Sequence, residues 1–213
     1  MSWLVRYLTA STGGRNRVAE DRRLVVGISG ATGIAYGVRL LELARKAGVE
    51  THLVVTPAGQ RTREYETNLS ARDLAAMADV TYRPADVAAA IASGSFRTAG
   101  MVVAPCSIRT LSAIAYGHSD NLLTRAADVT LKERRRLVLL ARETPLTMVH
   151  LRAMTAATEA GAIVMPPVPA WYLRPSGLDE VIDHTAGRAL DLLDIDVPGL
   201  PRWGGQSGQE RNR

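Results

Sequence analysis

The chain has 213 residues, of which 46% are apolar and 22% carry charged side chains. This length and composition fit one globular domain or two small ones, and they exclude a wholly disordered chain. The formal net charge of +5 suits an anionic small ligand as well as a nucleic acid, and a single cysteine, Cys106, excludes an internal disulfide framework and favours a cytoplasmic location.

The two ends of the chain differ from its middle. Residues 1–22 predict a flexible arm, because their short apolar run is interrupted by Arg6 and lacks the order of charge, apolar stretch and cleavage site of a signal peptide. Residues 204–213 are polar and predict a disordered tail. We therefore expect the domain to span residues 23–203. The sequence has no run of about 18 uncharged apolar residues, so we expect no membrane span.

Short apolar strands alternate with longer amphipathic helices between these ends. The β-branched run over 23–29 predicts a buried strand, and the helix after it ends at Gly48. Residues 57–95 are predicted to be helical, with Ser70 as an N-cap and a break at 93–95. Further strands are predicted over 51–56, 100–105, 137–141 and 162–165, and further helices over 107–117, 121–134, 147–160 and 177–193. This alternation predicts a three-layer α/β fold with a doubly wound parallel sheet.

In such a sheet, ligands bind at the carboxyl ends of the strands. Hydroxyl groups, small residues and two ionisable side chains follow the predicted strands of this chain. These segments are Ser29–Gly33, Thr56–Pro57, Cys106–Thr110, Arg142–Pro145 and the run PPVPAWY that ends at Tyr172. The sequence therefore predicts a binding site along one edge of the sheet.

The turn GISGATG follows the first strand and begins a helix, where free backbone N–H groups attract anions. Its glycines lie at Gly27, Gly30 and Gly33, which is not the dinucleotide fingerprint, and Thr56 rather than an acid follows the second strand. The pattern favours a mononucleotide such as FMN over NAD. A tight turn that packs glycine against the sheet is the alternative.

The segment APCSIRT is the second candidate loop. Ser107 and Thr110 can donate hydrogen bonds to a phosphate or a flavin edge from the start of a helix. No histidine or aspartate can be paired with Cys106 from the sequence, so we expect a buried small residue there rather than a nucleophile.

Two cations in the segment NLLTRAADVTLK are seven residues apart, so Arg125 and Lys132 share one face of a helix. With no acid expected between them on that face, they are able to clamp a phosphate. A solvated basic helix end is the alternative. The basic run 132–136 also suggests a nucleic acid, but it lacks interleaved aromatic residues.

Glu143 follows the fourth strand and stands next to Arg142. A carboxyl group at this position suits proton transfer. The alternative is an acidic residue that lies there only because acids are favoured at the start of a helix. The prolines of PPVPAWYLRP stiffen the segment that carries Trp171 and Tyr172, and we expect Trp171 to pack in the core or at an interface. The four histidines show no metal-ligand spacing.

Taken together, these motifs closely resemble the flavin prenyltransferases of the UbiX type. The likeness is carried by GISGATG, SGSF, MVVAPCSIRTLSAIAYGHSDNLLTRAADVTLKERRRLVLLARETPL, GAIVMPPVPAWY and LPRWG, in that order, from about Arg22 to Gly205. The resemblance implies a Rossmann-like or flavodoxin-like fold, a homododecamer and FMN as a substrate. It implies metal-independent transfer of a dimethylallyl group from dimethylallyl phosphate to N5 and C6 of reduced FMN. The product, prenylated FMN, would serve UbiD-type decarboxylases, including those of ubiquinone synthesis.

The resemblance also assigns roles to individual residues. The implied FMN contacts are Gly30, Ala31, Thr32, Thr56, Ser107, Ile108, Arg109, Thr110 and Arg142. The implied dimethylallyl phosphate contacts are Ser93, Arg125, Lys132, Glu143, Tyr172 and Arg188. Glu143, Lys132, Arg125, Thr32 and Glu66 are the implied catalytic residues, and Trp203 lies where family members can place a tryptophan near the substrate.

The chain departs from the common family pattern in three places. Thr32 and Thr56 each stand where serine is common, which keeps the hydroxyl donor and adds a methyl group. The stretch DVAAAIA has no aromatic residue before SGS, so the shielding of an allyl cation cannot be assigned there. An FMN-dependent cysteine decarboxylase and a non-catalytic FMN carrier remain the alternatives, and a nucleic-acid binder is a further one.

Overall fold

The computed structural model describes residues 23–200 of the chain. The predicted arm over 1–22, the predicted tail over 204–213 and Trp203 lie outside the described residues. Within 23–200, no helix has the length and apolar character that a membrane crossing requires.

Six strands and seven α-helices alternate along the described residues. The strands are β1 (Arg23–Ile28), β2 (Glu50–Val55), β3 (Val80–Tyr82), β4 (Gly100–Cys106), β5 (Arg136–Ala141) and β6 (Ile163–Val164). The helices are α1 (Ile34–Lys46), α2 (Pro57–Glu66), α3 (Ala71–Ala76), α4 (Ile108–Ala115), α5 (Leu122–Lys132), α6 (Met148–Glu159) and α7 (Leu178–Asp191). Short 3₁₀ turns lie at Ala90–Ala92 and Trp171–Leu173.

All strand pairs are parallel, and the strand order is β3-β2-β1-β4-β5-β6. The chain therefore winds outward from β1 in one direction and then from β4 in the other. The point between β1 and β4, where the winding reverses, is the place at which such sheets open a crevice for ligands. The predicted doubly wound parallel sheet is confirmed.

Helices cover both faces of the sheet. α1 and α7 pack on one face, where Leu40 and Leu190 are fully buried. α4, α5 and α6 cover the other face, with Leu111 and Leu123 fully buried. Successive residues of β1 point to the two faces in turn, as the two-residue period of a strand requires. This division into faces decides which helix-borne side chains can meet within one chain.

The five predicted strands are confirmed to within one residue at each end, but the prediction that residues 57–95 are helical is only partly right. That region forms α2, α3, the edge strand β3 and a 3₁₀ turn. β3 is only three residues long and pairs with His52–Val54 of β2, so its β-branched and aromatic side chains gain ladder bonds that a helix would not give them. Ser70 does cap α3, in a reciprocal capping box with Asp73.

Candidate active site

A cavity of about 610 Å³ opens at the carboxyl ends of β1, β2, β4 and β5. Its volume lies within the range of small-molecule sites. The residues that line it are Gly30, Ala31, Thr32, Thr56, Pro57, Ala58, Arg61, Ser107, Ile108, Arg109, Thr110, Arg142 and Glu143. All nine residues predicted to contact FMN are in this set. The fold therefore gathers them from four separate chain segments into one place.

Ser29 joins two walls of this cavity. Its hydroxyl donates to the Pro105 carbonyl at 3.0 Å and accepts from the Ser107 backbone N–H at 2.8 Å. Since Ser29 is fully buried, both contacts are protected from water. The turn after β1 and the turn after β4 are therefore held at a set separation.

Two helices begin at the cavity, each with a hydroxyl cap. Thr56 Oγ1 accepts from the Gly59 N–H at 3.0 Å and caps α2, whereas Ser107 Oγ accepts from the Thr110 N–H at 3.3 Å and caps α4. The first turn of each helix keeps further backbone N–H groups without helical partners, and it carries the positive end of the helix dipole. These two helix starts therefore suit the phosphate of a mononucleotide.

The start of α1 is different, because a side chain from α2 occupies it. Gly33 precedes α1 and has no side chain with which to cap it; Glu66 Oε2 instead accepts from the N–H groups of Gly33 at 2.8 Å and Ile34 at 3.0 Å. Burial raises the pKa of Glu66, but hydrogen bonds from Thr32, Ile34 and Gly33, together with nearby Arg142, outweigh it and leave the pKa below its usual value. Glu66 is therefore held as a carboxylate beside the predicted site.

Three arginines and one acid complete the cavity wall. Arg109 forms an exposed ion pair with Asp120 at 3.3 Å. Within residues 23–200, no ion pair joins Arg142 or Arg61 to an acid, so both guanidinium groups can receive an anion. The Glu143 carboxylate accepts only a 3.2 Å hydrogen bond from the Thr144 N–H within the same part of the chain.

Sequence reasoning missed Arg61 and Ala58. Both lie at the start of α2, and Arg61 is three residues from Ala58 and four from Pro57, spacings that share a face of a helix. The signal was present in Thr56, whose capping role sets where α2 begins. The prediction that residues 57–95 are helical gives the start of the first helix no role in the site.

The cavity residues fit a flavin mononucleotide. Two helix starts, the hydroxyls of Thr56 and Thr110, and the guanidinium groups can bind its phosphate and polar edge. Ala31, Pro57 and Ile108 offer apolar surface to an aromatic ring system. Thr110 Oγ1 already accepts from Ser107 Oγ at 3.1 Å, which leaves the Thr110 hydroxyl hydrogen for a ligand.

The residues predicted to bind dimethylallyl phosphate are not gathered in this way. Of the six, only Glu143 lines the cavity. Arg125, Lys132 and Ser93 lie on the face that α5 covers, whereas Arg188 lies on α7 on the opposite face. Tyr172 lies in the 3₁₀ turn at Trp171–Leu173. One chain therefore does not bring this set together.

The expectation of an acid-free face between Arg125 and Lys132 is wrong. Arg125 pairs with Asp128, one turn along α5, at 2.8 Å, and Lys132 pairs with Glu133 at 2.5 Å. Arg188 pairs with Asp191 in the same fashion. All of these pairs are partly exposed, so each holds its cation only weakly against an incoming dianion.

Two other predictions, for Cys106 and Trp171, have clear outcomes. Cys106 is fully buried and its thiol pKa is raised by desolvation, as expected of a structural cysteine. Trp171 is not part of the core, since 72% of it is exposed in the single chain. Within residues 23–200, no three His, Cys, Asp or Glu side chains form a group able to bind a metal ion.

Known proteins resemble this chain over most of its length. A family model described as Flavoprotein matches residues 14–192. The flavin prenyltransferase UbiX of Escherichia coli K12 is 56% identical over 187 residues, which cover 86% of this chain and 99% of the relative.

Two solved structures share the fold closely. A crystal structure of AnUbiX (PadA1) in complex with FMN and dimethylallyl pyrophosphate has a TM-score of 0.84 and 49% identity, over 86% of this chain and 98% of that one. A dodecameric FMN-dependent UbiX-like decarboxylase from Escherichia coli O157:H7 has a TM-score of 0.82 and 49% identity, over 86% of this chain and all of that one.

Proposed function

The chain belongs to the UbiX family of flavin prenyltransferases, and on that premise we propose that it transfers a dimethylallyl group from dimethylallyl phosphate to N5 and C6 of reduced FMN. The allylic C–O bond breaks and inorganic phosphate leaves as the terminal carbon of the dimethylallyl group bonds to N5, which loses its proton. The C=C bond of the group then takes up a proton, its other end bonds to C6, and C6 loses its proton. The product is prenylated FMN. The observation that carries the proposal is the cavity at the sheet edge, which unites all nine predicted flavin contacts.

Bound FMN supplies the electron-rich N5 and C6 positions. The chain holds it at the edge of the sheet, where the hydroxyls of Thr56 and Thr110 can donate from two helix starts and Arg142 supplies positive charge. Positioning of this kind contributes much of the rate, because it replaces a bimolecular encounter with a fixed approach. Thr32 and Glu66 lie beside this position and are hydrogen-bonded to each other.

We propose that Arg125, Lys132, Arg188 and Tyr172 neutralise the departing phosphate. An allylic C–O bond breaks more readily when charge on the leaving phosphate is balanced, and in a closed site such contacts are stronger than in water. Three cations and a phenol can take the part that a metal ion takes elsewhere in phosphate chemistry.

Because these side chains lie on opposite faces of one chain, we propose that neighbouring copies complete the phosphate site. Exposed apolar residues support contact between copies: Met148 and Val149 at the start of α6 are 61% and 68% exposed, and Trp171 is exposed as well. A dodecamer like that of the Escherichia coli relative would cover such surfaces.

Glu143 is the proposed proton-transfer group. It leaves β5 at the cavity, beside Arg142, with little to restrain its carboxylate. From this position it would protonate the departing phosphate or accept the proton that C6 loses.

We further propose, from the resemblance alone, that a UbiD-type decarboxylase uses the product and that the enzyme acts in the cytoplasm.

Anaerobic incubation with reduced FMN and dimethylallyl phosphate tests the activity directly. We expect a reduced flavin whose mass exceeds that of reduced FMN by one dimethylallyl group less one hydrogen. A carrier would leave the mass of FMN unchanged, and a cysteine decarboxylase would instead consume a cysteine-containing substrate. A salt-dependent gel shift with DNA or RNA would indicate a nucleic-acid binder.

A further inference from the structure

A tight turn at Ser93–Phe96 lies directly against Lys132. The Phe96 N–H donates to the Ser93 carbonyl at 3.2 Å, and the exposed hydroxyls of Ser93 and Ser95 are hydrogen-bonded at 2.9 Å. A Cβ atom at Gly94 would lie 2.8 Å from Lys132 Nζ and would overlap the Glu133 carboxylate. The turn therefore lies in contact with the ends of the Lys132 and Glu133 side chains.

Arg135 holds this turn by its backbone. Its Nη1 donates to the Phe96 carbonyl at 2.8 Å, and its Nη2 donates to the Gly94 carbonyl at 2.7 Å. Arg135 is half-buried and follows Lys132 by three residues on the same short connection to β5. The two bonds therefore hold the backbone of the turn against the connection between α5 and β5.

The opposite side of the turn is anchored through the Phe96 side chain. The ring packs edge-on against His52 of β2, with ring centres 5.0 Å apart, and the Arg23 guanidinium lies 4.8 Å from its centre. His52 is itself buried and hydrogen-bonded to Tyr82 and Glu50. With side chain and carbonyls both held, the turn has one arrangement relative to α5.

We propose that Arg135 is a positioning residue for the prenyl donor. It acts through the Ser93–Phe96 turn and keeps Ser93 and Lys132 in a single arrangement that receives the phosphate of the donor. The inference rests on the proposed function, in which Ser93 and Lys132 bind that phosphate. A site arranged before the ligand arrives binds more tightly, because less ordering is left to occur on binding.

The test is Arg135→Gln in the full-length assembled protein, with steady-state kinetics at saturating reduced FMN. We expect the KM for dimethylallyl phosphate to rise about tenfold, as the loss of two charge-assisted hydrogen bonds allows. The inhibition constant of inorganic phosphate should rise by a similar factor, while kcat and the Kd for FMN stay near wild type. Arg135→Lys, which can keep one of the two bonds, should give an intermediate KM.

Arg45→Gln is the matched control. Arg45 Nη2 also donates to two backbone carbonyls, those of Ala76 at 3.0 Å and Met77 at 2.7 Å, at the end of α3 and away from Lys132. A purely structural role predicts that both glutamine variants lower the Tm and that neither changes the donor KM.

An unchanged donor KM in Arg135→Gln overturns the inference. So does an equal rise in the Arg45 control. If Arg135→Gln fails to assemble, the lysine variant decides by the same measurement. A wild-type protein that makes no prenylated FMN refutes the proposed function itself, whereas an active wild type with a normal variant KM refutes only the role of Arg135.

Discussion

Replacing Gly30 with alanine should disturb the cavity from within. Gly30 lies in the turn after β1 and faces Ala58 in the first turn of α2. An added Cβ would overlap the Ala58 Cβ and lie 3.1 Å from the Ala58 carbonyl carbon. Neither partner is a flexible side chain, so backbone must move, and relief of the overlap needs a shift of about 1 Å.

The shift would separate two walls that both line the cavity. Overpacking of this kind costs about 1–3 kcal/mol. If the whole cost falls on binding, at about 1.4 kcal/mol per factor of ten, the Kd for FMN should rise roughly 5- to 140-fold. Quenching of flavin fluorescence measures the Kd, and thermal melting shows how much of the cost falls on stability.

A second substitution isolates the cause. Ala58→Gly removes the overlapping atom, so the double variant Gly30→Ala/Ala58→Gly should recover most of the lost affinity, while Ala58→Gly alone stays near wild type. Wild-type FMN affinity in Gly30→Ala would refute the reasoning. A double variant that binds no better than Gly30→Ala would show that the damage comes from something other than this contact.

Three further variants test other residues of the site. Glu143→Gln should bind FMN normally but form prenylated FMN about 100-fold more slowly; unchanged turnover in single-turnover assays would reject the proton-transfer role. Lys132→Ala should raise the donor KM much more than the Kd for FMN, and an equal loss of both would argue against phosphate binding. In Glu66→Gln the acceptor oxygen remains and the charge is lost. Because the pKa of Glu66 is lowered in the folded protein, the charge contributes stability above the ordinary value of 4.5, and this contribution is lost as the pH falls through the folded pKa. The wild type should therefore melt about 1–3 °C above Glu66→Gln at neutral pH, and the gap should close as the pH falls through the lowered pKa. A gap that stays constant with pH would contradict the assignment.

The flavin side of the site was predictable from the sequence because it depends on a rule about strand ends. Each βα turn follows a recognisable strand, and parallel strands bring their carboxyl ends to one edge. Ser107 and Thr110 could therefore be predicted from the sequence to line the site. The cap at Ser70 was predictable for a similar reason, since its contacts lie within four residues.

The phosphate side was not predictable in the same way. Periodicity identifies a helix but does not say which face of the sheet it covers, because the face depends on the direction in which the chain winds. α5 connects β4 to β5 on one side of the winding, and α7 returns to pack against α1 on the other face. Lys132 and Arg188 are separated for this reason.

Glu66 has a consequence for ligand choice. In dinucleotide-binding folds of this architecture, the start of the first helix receives a pyrophosphate. Here that position already holds a negative charge from the chain itself, bound by the Gly33 and Ile34 N–H groups. An approaching pyrophosphate would meet like-charge repulsion and would find these donors occupied, so we expect the protein to bind nicotinamide dinucleotides poorly.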